Sequence, residues 1–129
     1  MAAERMRSPL GRALGLGSAK KGVEHWWVQR VTAIALIPLT LWFVIALLQL
    51  MGSDLASVHH WLGRPVPAIL MVLFVIATFY HAALGLEVVI EDYVAAELAR
   101  LGLIVLVRLV AVALAVAGIF AVLRMALAA

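Results

Sequence analysis

The sequence contains no cysteine. Disulfides, thiolate metal sites and iron–sulfur ligation are therefore outside the chemistry of this chain. Charge is sparse as well: 13% of the 129 residues are charged, with 7 acidic against 10 Lys and Arg. What the chain has instead is apolar, 67% of its residues, where roughly 45–50% is usual for a soluble domain. It reads as an all-α integral membrane protein. About 20 apolar residues cross the hydrocarbon core, and three such runs can be laid out, Val31 to Met51, Val66 to Ile90 and Leu103 to Leu123. The predicted helices cover about 28–51, 66–91 and 102–124, within a transmembrane unit at 25–129 that follows a basic arm at 1–24. Three helices in so short a chain cannot enclose a large cavity, so a site of any size needs walls from another polypeptide.

A net charge of +3 suggests nucleic acid only until the charges are located. Arg5, Arg7, Arg12, Lys20, Lys21 and Arg30 all precede the first span, which is the positive-inside pattern of a membrane protein. No nucleic-acid partner is expected, and the N-terminus is placed in the cytoplasm. The loop after span one carries Arg64 as its one basic residue and faces out. Arg100 and Arg108 return the chain to the inner side, and Arg124 lies outside. A cleaved signal peptide fits less well, because Val31 to Met51 exceeds a 7–15-residue h-region and lacks a terminal A-x-A.

Along the chain, Met1 to Gly22 shows no sustained period and carries no chemistry. In Val23 to Arg30, Trp26 and Trp27 are interfacial anchors, and His25 lies at the same interface, on a different helical face from Arg30. Arg30 either snorkels to the surface or pairs with an anion held between helices. Pro38 predicts a modest kink in span one. Gly52 to Pro65 reads as a loop in which Asp54, His59, His60 and Arg64 are solvated and Trp61 is an anchor; adjacent histidines cannot share a helical face as a metal pair. Span three is alanine-rich, with Ala113, Ala117 and Ala121 at i+4 and Gly118 adjacent, a stripe suited to close helix packing. Arg108 is expected to snorkel, the other reading being that it neutralises a carboxylate such as Glu97 or a cofactor acid.

The most informative stretch is Thr78 to Val94. At about 100° per residue, His81, Gly85, Val88 and Asp92 share one helical face, with about 16 Å of rise from His81 to Asp92. His81 lies about 22 Å along the second run from Val66, past the midplane, where an imidazole faces protein, water or a metal. Gly85 one turn later lets either a flat ring or another helix approach closely. His followed at i+4 by Gly suits an axial haem ligand beside a porphyrin plane; a hydrogen bond from His81 to a neighbouring helix is the other reading. Glu87, Glu91 and Asp92 crowd the inner end, and Glu87 and Glu91 are expected to be solvated. Asp92 can orient the phenol of Tyr93, whose O–H can donate to a carbonyl at the membrane surface, such as that of a ubiquinone head group.

Together these residues resemble the hydrophobic membrane anchors of succinate dehydrogenase (respiratory complex II), in their bacterial form. The resemblance rests on H-W-x-x-x-R (His25, Trp26, Arg30) opening helix one, H-x-x-x-G (His81, Gly85) in helix two and D-Y-V (Asp92, Tyr93, Val94) after it, in that order within a three-helix frame. It implies half of a six-helix haem-binding bundle formed with a second, cytochrome b anchor chain, holding one haem b between axial histidines from each. His81 would be this chain's iron ligand. Tyr93, supported by Asp92, would hydrogen-bond ubiquinone; Arg30 would lie near the haem propionates and quinone pocket, with His25 a weaker assignment. Electrons would come from succinate through an FAD-containing flavoprotein and an iron–sulfur subunit on the cytoplasmic side. The chain carries no motif for FAD or succinate, so alone it would not be catalytic. Other readings are a cofactor-free structural anchor, the anchor of a related fumarate reductase, and part of a small transporter, for which no broken-helix pair or internal repeat speaks.

Overall fold

The structure, a computed structural model, describes residues 8–13 and 21–128. Most of the expected basic arm, including Arg5, Arg7 and Lys20, lies outside the described residues. Within it, α1 is a single turn, Pro9–Ala13. The remaining helices are α2 (Lys21–Leu50), α3 (Leu55–Leu62), α4 (Pro65–Tyr93) and α5 (Glu97–Leu127). Of these, α2, α4 and α5 are long and apolar enough to cross a membrane, in agreement with the three expected spans.

Each spanning helix is longer than its apolar run. At 1.5 Å per residue, about 30 residues give about 45 Å, against a hydrocarbon core of about 30 Å. The surplus turns stand in the headgroup region. Thus α2 begins at Lys21, before the aromatic belt, and carries His25, Trp26 and Trp27 on its first turns; it remains helical through Pro38. Proline at the start of α4 supplies no N–H where none is needed, and Arg64 precedes it in extended conformation.

The second span is the middle helix. It packs on α2 along one face and on α5 along another, while α3 lies across the ends of α4 and α5. Phe43 of α2 stacks on Phe74 of α4 with centroids 4.6 Å apart. Against α5 the contact is made by small side chains: a Cβ placed on Gly118 would lie 3.1 Å from Val75 Cγ1. Ala111 and Ala115 border the same α4–α5 groove, and Val122 is buried. The packing face therefore follows 111, 115, 118 and 122 rather than the Ala113, Ala117 and Ala121 stripe, which is exposed in this chain.

Within the segment 52–65, read as a loop, Leu55–Leu62 forms the helix α3; Asp54, His60 and Arg64 are exposed as expected, whereas His59 is engaged. Gly52, with φ of 80°, turns the chain out of the first span, and Asp54 caps α3 by accepting from Ser57 N–H at 2.9 Å. Hydrogen bonds from Ser57, from its side chain foremost and then its backbone, hold the Asp54 carboxyl below its ordinary value. The charged cap thus contributes above the usual carboxylate range and is lost as pH falls through the lowered value. His59 Nδ1–H donates to the Met125 carbonyl at 3.1 Å, and Trp61 stacks on Trp42 of α2 at 5.9 Å. These contacts tie the short helix to the first and third spans.

Glu87 and Arg108 also depart from expectation. Rather than solvated and snorkelling, they form a bidentate pair between α4 and α5, Nε to Oε1 at 2.6 Å and Nη2 to Oε2 at 2.9 Å. Glu87 is 5% exposed, and a carboxylate so placed in an apolar bundle needs the fork geometry of arginine to satisfy both oxygens. Arg108→Leu, which strands that carboxylate, is expected to cost about 3 kcal/mol, and pairing it with Glu87→Leu to cost less. Thermal unfolding of the solubilised protein measures both, and a double variant that loses as much as Arg108→Leu alone would contradict a cost from the stranded carboxylate. Gly118→Leu should destabilise by about 2 kcal/mol in the same assay, because Val75 leaves no room for it; an unchanged melting temperature would contradict this packing.

Candidate functional site between the first two spans

The face of α4 that carries His81, Gly85 and Val88 turns toward α2. Opposite it α2 presents His25, Gln29 and Thr32, spaced i, i+4 and i+7 and so nearly in line along one helical face. These are three of the few polar side chains on an apolar helix. Their alignment opposite His81 forms a narrow polar seam between the two spans.

At the deep end of the seam, Thr32 Oγ1 lies 2.9 Å from His81 Nδ1. The same hydroxyl lies 2.8 Å from the Val28 carbonyl and 3.1 Å from that of Gln29, within its own helix. His81 Nε2 makes no hydrogen bond among the described residues. A turn nearer the N-terminal side, Gly85 lies against Gln29, whose Nε2 would be 3.6 Å from a Cβ on that glycine. A Cβ there would stand in ordinary van der Waals contact with the amide. His25 Nε2 and Gln29 Oε1 are buried without a hydrogen-bond partner.

These residues line a cavity of about 420 Å³ bounded by His25, Trp26, Gln29, Arg30, His81 and Val88. Arg30 lies on a different face of α2 from His25, yet its long side chain closes the same cavity, with the guanidinium 5.2 Å from the centroid of the Trp26 ring. The site thus has an imidazole with one nitrogen engaged, a cation at its mouth and two unsatisfied polar atoms in its wall. Buried polar atoms without partners carry a desolvation cost of about 1–3 kcal/mol each, and a ligand that supplies donors or acceptors removes that cost.

Of the residues singled out in the sequence, His25, Arg30 and His81 come together at this cavity, and Gly85 borders it through Gln29. Asp92 and Tyr93 do not line it. They end α4 about 16 Å further along the helix, and Tyr93 is 85% exposed. Neither makes a hydrogen bond among the described residues, so the Asp92–Tyr93 contact expected from sequence is not formed within this chain. Gln29 and Thr32 are the residues that the sequence reading missed. Their signal was the i, i+4, i+7 spacing from His25, legible once the helix was extended back to Lys21.

The profile of the succinate dehydrogenase/fumarate reductase transmembrane subunit family matches residues 4–122. Among individual proteins, the succinate dehydrogenase hydrophobic membrane anchor subunit of Rickettsia bellii is 40% identical over 116 residues, 90% of this chain and 93% of that protein. The protein of the same name from Paracoccus denitrificans is 38% identical over 86 residues, covering 67% of each chain. The succinate dehydrogenase membrane anchor subunit of Reclinomonas americana is 35% identical over 97 residues, 72% of this chain and 80% of its own. No solved structure matches the chain. With the family profile covering nearly all of its length and these relatives aligned across its spans, the chain belongs to the succinate dehydrogenase/fumarate reductase transmembrane subunits, among the hydrophobic membrane anchors of succinate dehydrogenase.

Proposed function

We propose that this chain anchors a succinate dehydrogenase in the bacterial inner membrane and, with a second anchor chain, provides a haem b site and part of the site where ubiquinone is reduced. The observation that carries this reading is His81. It is an imidazole inside a membrane span, with Nδ1 occupied by Thr32, Nε2 unpaired among the described residues, and a cavity beside it that also holds Arg30 and two unsatisfied polar atoms. That donor set fits a haem: a neutral imidazole nitrogen for iron, and a guanidinium at the mouth for a propionate. A bound haem b would supply a one-electron store between the two anchor chains.

What the chain's own residues do follows from their positions. His81 holds a ligand nitrogen at fixed depth within the span, between α2 and α4. Arg30 offers donors to an anion, with Trp26 packed against the guanidinium. His25 and Gln29 offer the wall of the cavity a donor or acceptor apiece. Tyr93, exposed where α4 reaches the headgroups, can donate its phenol proton to a ubiquinone carbonyl, and that hydrogen bond strengthens as the oxygen gains charge. Asp92 beside it raises the negative potential felt by the phenol and can orient it once a partner chain narrows the site.

The basic residues ahead of α2 support a cytoplasmic position for Tyr93 and Arg30. An iron–sulfur subunit and an FAD-containing flavoprotein docked there would deliver the electrons of succinate, because this chain has no cysteine with which to ligate a cluster. The cytochrome b anchor chain would supply the second axial ligand. Fumarate reduction is the same scaffold run in reverse.

His81→Ala is expected to abolish or strongly shift the b-type absorbance of the co-purified complex in a reduced-minus-oxidised spectrum; an unaltered spectrum would remove His81 as the ligand. Tyr93→Phe should lower succinate:ubiquinone reductase activity about tenfold, the worth of one hydrogen bond in the rate-limiting state. Assembly should be unaffected, and full activity in that variant would sink the role given to the phenol.

A further inference from the structure

We infer that Thr32 is a positioning residue for His81: it selects the imidazole tautomer, fixes the ring's rotation and strengthens the donor power of the ring's other nitrogen. This inference rests on the haem reading of His81 and deepens it.

The proton count at one oxygen decides the direction of the bond. A threonine hydroxyl has one proton to give and two lone pairs to receive with. Its two carbonyl neighbours, Val28 at 2.8 Å and Gln29 at 3.1 Å, can only accept. The hydroxyl proton therefore goes to its own helix, the common i to i−4 arrangement of threonine in spans. What remains toward His81 is a lone pair at 2.9 Å, so Nδ1 carries the ring proton and donates it. A neutral imidazole protonated at Nδ1 has its lone pair at Nε2, the nitrogen that has no partner among the described residues. The hydrogen bond thus leaves Nε2 as the ring's metal-binding nitrogen.

Two further consequences follow. The bond spans two helices, so the ring's rotation about its Cβ–Cγ bond is set by the register of α2 against α4. In addition, a ligand imidazole that donates its second N–H becomes more basic and stabilises the oxidised metal more than the reduced one. Loss of the acceptor should raise the midpoint potential of the haem.

The test uses the whole complex, solubilised with its partner chains. Thr32→Val keeps the side chain's shape and removes the hydroxyl, and with it the acceptor for Nδ1. It is expected to retain haem while raising the midpoint potential and moving the low-field electron paramagnetic resonance signal of the oxidised haem, and Thr32→Ser is expected to restore both. Should the valine variant not assemble, Thr32→Ala and Thr32→Ser differ by the hydroxyl and pose the same question. A potential and a resonance signal identical to those of the parent in the hydroxyl-free variant would overturn the inference. His81→Ala, measured alongside, separates the two failures. If it loses the haem signal while the Thr32 variants match the parent, the positioning role alone is wrong; if it too keeps the parent signal, His81 is not the ligand and both readings fall.

Discussion

Hydrocarbon supplies no hydrogen bonds, so a polar side chain held within it keeps its place only when another part of the protein supplies the partner. In this chain that condition is met on two faces of α4. His81 faces α2 and meets Thr32; Glu87, about 120° around the helix, faces α5 and meets Arg108. Apolar ridges slide past one another at little cost in lipid, because tails are as apolar as leucine. A directional contact at 2.6–2.9 Å does not slide. These two contacts set the height of the outer spans against the middle one, and the cavity beside His81 inherits its dimensions from that height.

The same requirement shapes the ends of the bundle. Outside the core, α3 is capped by Asp54 and held by His59 to the last turn of α5 and by Trp61 to α2. On the opposite side, the first turns of α2 carry Trp26 and Arg30 against each other. A chain with very few buried side chains, Ala46, Leu62, Ala83, Leu84 and Val122 among the apolar ones, owes much of its definition to such contacts. Many of its large apolar residues are exposed, as suits helices long and apolar enough to cross a membrane.

Within a larger complex, the chain contributes geometry rather than a complete reaction centre. It offers one imidazole, one guanidinium and one phenol at graded depths along two helices. About 16 Å of rise separates the His81 and Asp92 levels. Under the proposed function that separation would divide a deep haem ligand from a hydrogen-bond donor to quinone near the membrane surface.

The three spans, their order and the face shared by His81, Gly85 and Val88 were legible in the sequence, because hydropathy and the 3.6-residue period depend on the chain alone. So was the presence of a polar group at His81 inside a span, since an imidazole amid uninterrupted apolar residues stands out. The loop reading of residues 52–65 failed because α3 gains its stability from Met125 and Trp42, residues far away in sequence. Glu87 and Arg108 looked like a solvated acid and a snorkelling base because each, taken singly, lies near a helix end; 21 residues separate them, and only the packing of α4 on α5 makes them neighbours. The sequence by itself therefore determined what must lie in the membrane and which groups would be costly there. Which group answers which was decided by tertiary structure, for the physical reason that a hydrogen bond depends on ångström distances between helices, and periodicity within one helix says nothing of its neighbour's rotation or height.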